Sequence, residues 1–210
     1  MRMLAAVLAA VSAPAFHVSI RPLSGAVLTE VGHSWHSTCP VPLSNLRLLD
    51  VSAWGFDGHV HQGQLIVNAD AAAGLGSVFR QLFDLRFPIR HLTLKDEYGP
   101  AAERAPDGDI SGSFECRQAV PSPCVGGTGT GTWSEHAYGE AVDLNPHENP
   151  YVGCGMAEND KSSGYLDRSR IRPGMVTPAV IQAFARIGWG WGGSWYGSTK
   201  DYMHFSANGH

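Results

Sequence analysis

Residues 134–146, SEHAYGEAVDLNP, hold a histidine and an aspartate seven positions apart, with a glycine between them. His136 and Asp143 flank a turn at Gly139, where the lack of a Cβ lets two stretches of backbone approach closely. An imidazole and a carboxylate on either side of a tight turn can share one metal ion. A turn with two hydrogen-bonded polar side chains accounts for the same spacing. A second imidazole, His204, stands near the end of the sequence in DYMHF. Two histidines and one aspartate suit Zn²⁺, and three protein ligands leave a fourth position for water, as hydrolysis requires. Asp201, three residues before His204, is a candidate general base. Positions three apart on a regular strand face opposite sides, so the two converge only through a turn or a bulge.

The chain has ten histidines, so other pairings must be weighed. His59 and His61 share one face of an expected strand, and His33 and His36 are close in sequence. Both pairs lack the carboxylate-and-turn context and are read as surface or packing histidines.

Around these residues lies a chain of 210, long enough for a full core in one domain. Only 16% of residues are charged and 43% are hydrophobic, which excludes a disordered chain. The formal net charge of −4, without a basic stripe, argues against nucleic acid as a partner and against adhesion to anionic lipid. The N-terminal run MRMLAAVLAAVSAPA has one arginine, a short apolar stretch and an A-x-A pattern at Ala13–Ala15. It is expected to be an export signal over residues 1–15, the alternative being an N-terminal helix or a disordered lead. It is shorter than a bilayer span, so no stable membrane insertion is expected. The four cysteines, Cys39, Cys116, Cys124 and Cys154, form no C-x-x-C pair. In an exported chain they read as two disulfides, for which three connectivities are open.

The elements that must position the candidate residues follow from periodicity. Residues 16–45 are rich in Pro, Ser and His and read as an extended lead-in, with the catalytic domain over 46–210. LRLLDVSAWGFDGHVHQGQLIVN predicts two strands around a turn at Gly55–Gly58. Leu75, Val78, Phe79, Leu82 and Phe83 predict an amphipathic helix with Asp70 as its N-cap. PIRHLTL predicts a short strand, and residues 97–132 a long irregular stretch. EAVDLN predicts a strand. Thr177 and Pro178 open a second helix that Gly188 ends. The final GWGWGGSWYGSTKDYMHFS predicts strand, turn and strand. Helices and hairpins without a βαβ rhythm give an α+β class with an antiparallel sheet.

SEHAYGEAVD fits S-x-H-x-x-G-x-A-x-D at every fixed position, and DYMHF resembles a terminal D-x-x-H or E-x-x-H element. With CPVPLSNLRLL, GFDGHVHQGQLIVN, RFPI, FECR, NPYV, YLDRS and GWGWGG, these segments resemble, in order, the zinc D-alanyl-D-alanine carboxypeptidases. That family includes the dipeptidases of vancomycin resistance and the L-alanyl-D-glutamate endopeptidases of phage lysins. The resemblance implies a small antiparallel sheet with flanking helices, shared with the hedgehog signalling domain. It implies His136, Asp143 and His204 as zinc ligands, Asp201 as catalytic base, and Arg117 as a clamp on a substrate carboxylate or developing oxyanion. Ser134 is expected either to orient substrate or to cap the turn.

The implied substrate is the stem peptide of peptidoglycan, met outside the cytoplasm in the cell wall by a secreted monomer. The sequence departs from the resemblance at Glu115, where an Asn is common, which bears on the polar substrate contacts. Asp201 replaces the Glu usual in carboxypeptidase and dipeptidase members and leans toward the endopeptidase branch. Cys39 and Cys116 lie in family-like segments and are expected to pair. Cys124 and Cys154 lie in loops resembling local insertions, and their bridge is inferred. The rival reading is a catalytically weak, zinc-containing module that binds cell wall through a hedgehog-like fold.

Overall fold

A computed structural model describes residues 14–157 and 159–210. The core of the expected export signal lies outside these residues.

The described residues fold as α+β, with three small antiparallel sheets among them. The first is built on β2 (Leu46–Trp54) and β3 (Val60–Asn68), the two strands that the turn at Gly55–Gly58 was expected to join. Both faces of this hairpin are covered, and the period of two sorts its side chains between them. Leu49, Val51, Leu65 and Val67 enter one hydrophobic cluster; Leu46, Leu48 and Ile66 enter another. Strand β1 (Val18–Pro22) adds to the outer edge of β2. Residues 16–45, expected to be an extended lead-in, thus supply a sheet strand and the short helix α1 (Ala26–Val31).

Helix α2 (Ala69–Asp84) packs Leu75, Val78, Phe79 and Leu82 against the first cluster. Its cap is Asn68 rather than the expected Asp70: the Asn68 side chain accepts from the Asp70 N–H at 3.1 Å. Asp70 instead sits in the first turn, where its charge favours the positive end of the helix. The expected strand at PIRHLTL does not form. Pro88 and His91 make only isolated bridges, and Thr93 caps the short helix α3 (Leu94–Tyr98). Leu94 and Tyr98 place α3 under the second cluster, next to Phe114.

The second sheet orders β4 (Ala141–Asp143), β9 (His204–Ser206) and β7 (Gly190–Trp191). Helix α5 (Pro178–Ala185) lies against it and stacks Phe184 on Phe205 at 3.9 Å between ring centroids. Thr177 stands at the N-cap position of α5, but its side chain makes no capping bond. The third sheet orders β6 (Met156–Ala157), β5 (Tyr151–Gly153) and β8 (Lys200–Asp201). Disulfides join Cys39 to Cys116 and Cys124 to Cys154, the expected pairs.

Candidate metal centre

Asp143 and His204 meet because they are direct cross-strand partners in β4 and β9. On these strands Val142, Leu144 and Phe205 point into the hydrophobic core. The alternation therefore turns Asp143 and His204 together to the other face. His204 Nδ1 lies 3.1 Å from Asp143 Oδ1.

His136 reaches the same point from α4 (Glu135–Tyr138), a single helical turn. Ser134 caps α4, its hydroxyl accepting from the His136 N–H at 3.3 Å. This is the capping alternative of its two expected roles, although Ser134 also lines the cleft described below. Gly139 ends the turn with φ +69°, a left-handed conformation. A Cβ there would stand 2.7 Å from the backbone nitrogen of Asn68, and Asn68 N–H donates to the Gly139 carbonyl at 2.8 Å. Only glycine meets both conditions without strain. The contact docks α4 on the junction of β3 and α2, and the Asn68 amide adds a bond to the Tyr138 carbonyl.

The three candidate ligand atoms close a triangle. His136 Nε2 lies 3.1 Å from Asp143 Oδ2 and 3.2 Å from His204 Nδ1. Each ring turns its other nitrogen to a backbone oxygen: His136 Nδ1 to Ser113 at 2.5 Å, and His204 Nε2 to His210 at 3.2 Å. Such an oxygen only accepts, so those outward nitrogens carry the protons. The inward nitrogens then present lone pairs to each other and to a carboxylate. Two buried imidazoles and a half-buried carboxylate at this spacing fit a divalent cation with N/O preference, and outward hydrogen bonds of this kind are what orient metal-binding imidazoles. Burial pushes the Asp143 carboxyl up, but His136 and His204 outweigh it and hold it well below the ordinary carboxylate range. Burial pushes the His136 imidazole down, and Asp143 more than reverses this.

A cleft of about 270 Å³ opens over the triangle. It also admits Asp201 and Arg117, so all the expected site residues gather in one place. Asp201 lies on β8 and pairs with Tyr151, in a different sheet from His204. The chain changes sheets at Tyr202 and Met203, whose backbones bond to Pro150 and Leu144 respectively. This crossing solves the problem of two residues three apart facing one cavity. Arg117 Nε donates to Glu115 Oε2 at 2.5 Å. Burial opposes the charge on Arg117, but the Glu115 carboxylate outweighs it and raises the pKa, with added pull from Asp143 and Asp201.

Sequence reasoning did not find the aromatic walls Tyr151 and Trp195, nor the backbone oxygens that orient the imidazoles. It also missed Glu97 on α3. Glu97 Oε1 accepts from the Ser113 N–H, and Ser113 is the residue that holds His136. Burial, reinforced by Glu115, pushes Glu97 up to about 8.

Of the other histidines, His61 pairs with exposed Asp57 at 2.9 Å, a carboxylate the sequence had not brought to it. His36 stands beside the Cys39–Cys116 sulfurs. Those sulfurs are bonded to each other, so they offer no thiolate to a metal.

Residues 128–207 match a family described as D-alanyl-D-alanine carboxypeptidase, the family that the sequence resembles. That stretch contains α4, β4, β8 and β9, and so all the triangle residues and Asp201. No curated protein and no solved structure matches the chain.

Proposed function

We propose that this chain, which matches the D-alanyl-D-alanine carboxypeptidase family over residues 128–207, hydrolyses a peptide bond in the stem peptides of peptidoglycan, with zinc held by His136, Asp143 and His204. The family match supports a peptidase. The observation that carries the finer reading is the triangle of inward-facing donors at the floor of a cleft that also holds a carboxylate and a guanidinium.

When bound, zinc would supply Lewis-acid polarisation of the scissile carbonyl and would lower the pKa of the attacking water. The protein's own residues do the rest. Asp201 takes a proton from the water as its oxygen bonds to the carbonyl carbon. The same carboxyl then returns that proton to the leaving nitrogen as the C–N bond breaks. Arg117 donates to the oxygen on which negative charge develops. Ser134 and the Ser113 carbonyl hold His136 in place. Tyr151 and Trp195 wall the cleft.

The site of action is the cell wall, outside the cytoplasm. The N-terminal run of residues 1–15, the two disulfides and the family's substrate support this. No described helix is long and apolar enough to cross a membrane. Residues 46–210, joined by β1 and by Cys39 from the preceding segment, form the catalytic unit, working as a monomer.

The test is to incubate zinc-loaded protein with purified stem peptides and to weigh the products by mass spectrometry. Cleavage by the native protein, abolished in His136→Ala, is the expected result. Binding of zinc and stem peptide without turnover would overturn the peptidase reading in favour of a cell-wall-binding module.

A further inference from the structure

Glu115 and Arg117 flank Cys116 in a tight turn, in which the Arg117 N–H donates to the Glu115 carbonyl at 2.9 Å, and their side chains meet through Nε and Oε2. Cys116 is fixed there by its disulfide to Cys39, with 5.8 Å between the Cα atoms, and by its N–H bond to Ser34 Oγ. The flanks are pinned as well. The Glu115 N–H donates to the His136 carbonyl, and the Ser134 N–H donates to the Arg117 carbonyl, each at 3.1 Å. The disulfide and these bonds register the pair against the backbone that carries the first ligand.

The guanidinium therefore enters the cleft already partnered. Nε is given to Glu115 Oε2, and Nη1 donates to the Gln118 carbonyl at 3.2 Å. A carboxylate is gripped best by two parallel N–H groups on one edge of the fork. The Nε edge of Arg117 thus has one donor committed to Glu115, and Nη1 gives one of its two hydrogens to Gln118. An incoming carboxylate would also meet the charge of Glu115. A neutral carbonyl oxygen needs a single donor and meets no such repulsion.

Resting on the peptidase reading above, we infer that Glu115 is a specificity-determining residue. By engaging Arg117 it selects against a substrate whose terminal carboxylate lies at the clamp. It favours peptides that continue past the bond to be cut. This places the chain with internal cleavage, within a family whose description names a carboxypeptidase.

The probe is one stem pentapeptide ending in D-alanyl-D-alanine, prepared as the free acid and as the C-terminal amide. Hydrolysis by zinc-loaded native protein, Glu115→Gln and Glu115→Asp is followed by mass spectrometry. Binding of both forms is measured in parallel by calorimetry. Glu115 is half exposed, so neither substitution threatens the fold. Native protein should favour the amide. Glu115→Gln should shift the acid-to-amide ratio of kcat/KM toward the acid by about tenfold, through KM, since a like charge beside the binding group is removed. Glu115→Asp keeps the charge and should keep the preference. An unchanged ratio in Glu115→Gln overturns the inference while leaving the peptidase intact. If nothing is cut, the peptidase reading fails and the calorimetric acid-to-amide ratio still decides the role of Glu115. An equal ratio in native protein and Glu115→Gln, or binding of neither form, overturns it.

Discussion

His136 and His204 meet through unlike nitrogens, Nε2 of the first 3.2 Å from Nδ1 of the second. The difference follows from their supports. A one-turn helix presents His136 with its Nδ1 against the neighbouring Ser113 carbonyl, whereas the end of the chain folds over His204 and takes its Nε2. Each ring is thereby locked in a different tautomer, and both lone pairs converge on Asp143.

If both lone pairs serve one ion, as proposed, both histidines should be required for metal in equal degree. His136→Ala and His204→Ala should each reduce zinc from about one ion per chain to near none, since a two-ligand remnant has no closed coordination. Elemental analysis after dialysis checks this. Stoichiometric zinc in either variant would remove that residue from the ligand set.

Asp201→Ala should keep its zinc and slow hydrolysis by about 10²–10⁴-fold, the usual contribution of a positioned acid–base group. The readout is kcat alongside metal content. Loss of zinc as complete as in His204→Ala would make Asp201 a ligand. Near-normal activity would move the base elsewhere, with Glu135 next to test because it lines the same cleft.

Gly139→Ala should both destabilise the fold and weaken zinc binding. The left-handed backbone costs a Cβ-bearing residue about 1–2 kcal/mol. The approach to the Asn68 nitrogen adds a clash that can be relieved only by moving α4. Urea denaturation should show a lower midpoint, and a competition assay with a chelator should show weaker metal retention.

Glu97 gives a pH signature. Its carboxyl titrates near 4.5 when freely solvated and at about 8 in the fold. The folded state therefore holds a proton that the unfolded chain has released. That contribution to stability is complete below about pH 4.5 and is lost as pH rises toward 8, by at most about 1.4 kcal/mol per pH unit. Glu97→Gln cannot ionise, so its stability should fall less than the native protein's between pH 5 and 8. Parallel slopes in denaturant titrations across that range would contradict the burial of the acid.

Much of the site was legible because its pieces are local. The Ser134 cap, the Gly139 stop and the apolar alternation around Asp143 can all be read within ten residues. The pairing of β4 with β9 joins residues 61 apart, and no periodicity encodes such a contact. His204 entered the set as a second imidazole suited to zinc, and the resemblance added the role of ligand. β1 was missed because it is an edge strand held by backbone pairing and by Ser19 and Arg21 on Asp50, not by an apolar stripe. The strand expected at PIRHLTL had the right alternation, but it found single bridges instead of a ladder, and Thr93 redirected the chain into α3. Asn68 prevailed over Asp70 as cap because its amide also ties down Tyr138, a tertiary bond invisible to a local rule.

The crossing at Tyr202–Met203 divides labour mechanically. His204 travels with β4, which is anchored in the hydrophobic core, whereas Asp201 travels with β5, whose next residue is Cys154. The Cys124–Cys154 bridge thus tethers the strand that pairs with Asp201, the proposed proton-transfer partner. Cutting it should leave the candidate triangle seated and loosen the alignment of Asp201. On the proposed reading, turnover and metal retention should then be separately adjustable, one set by a loop staple and the other by the core.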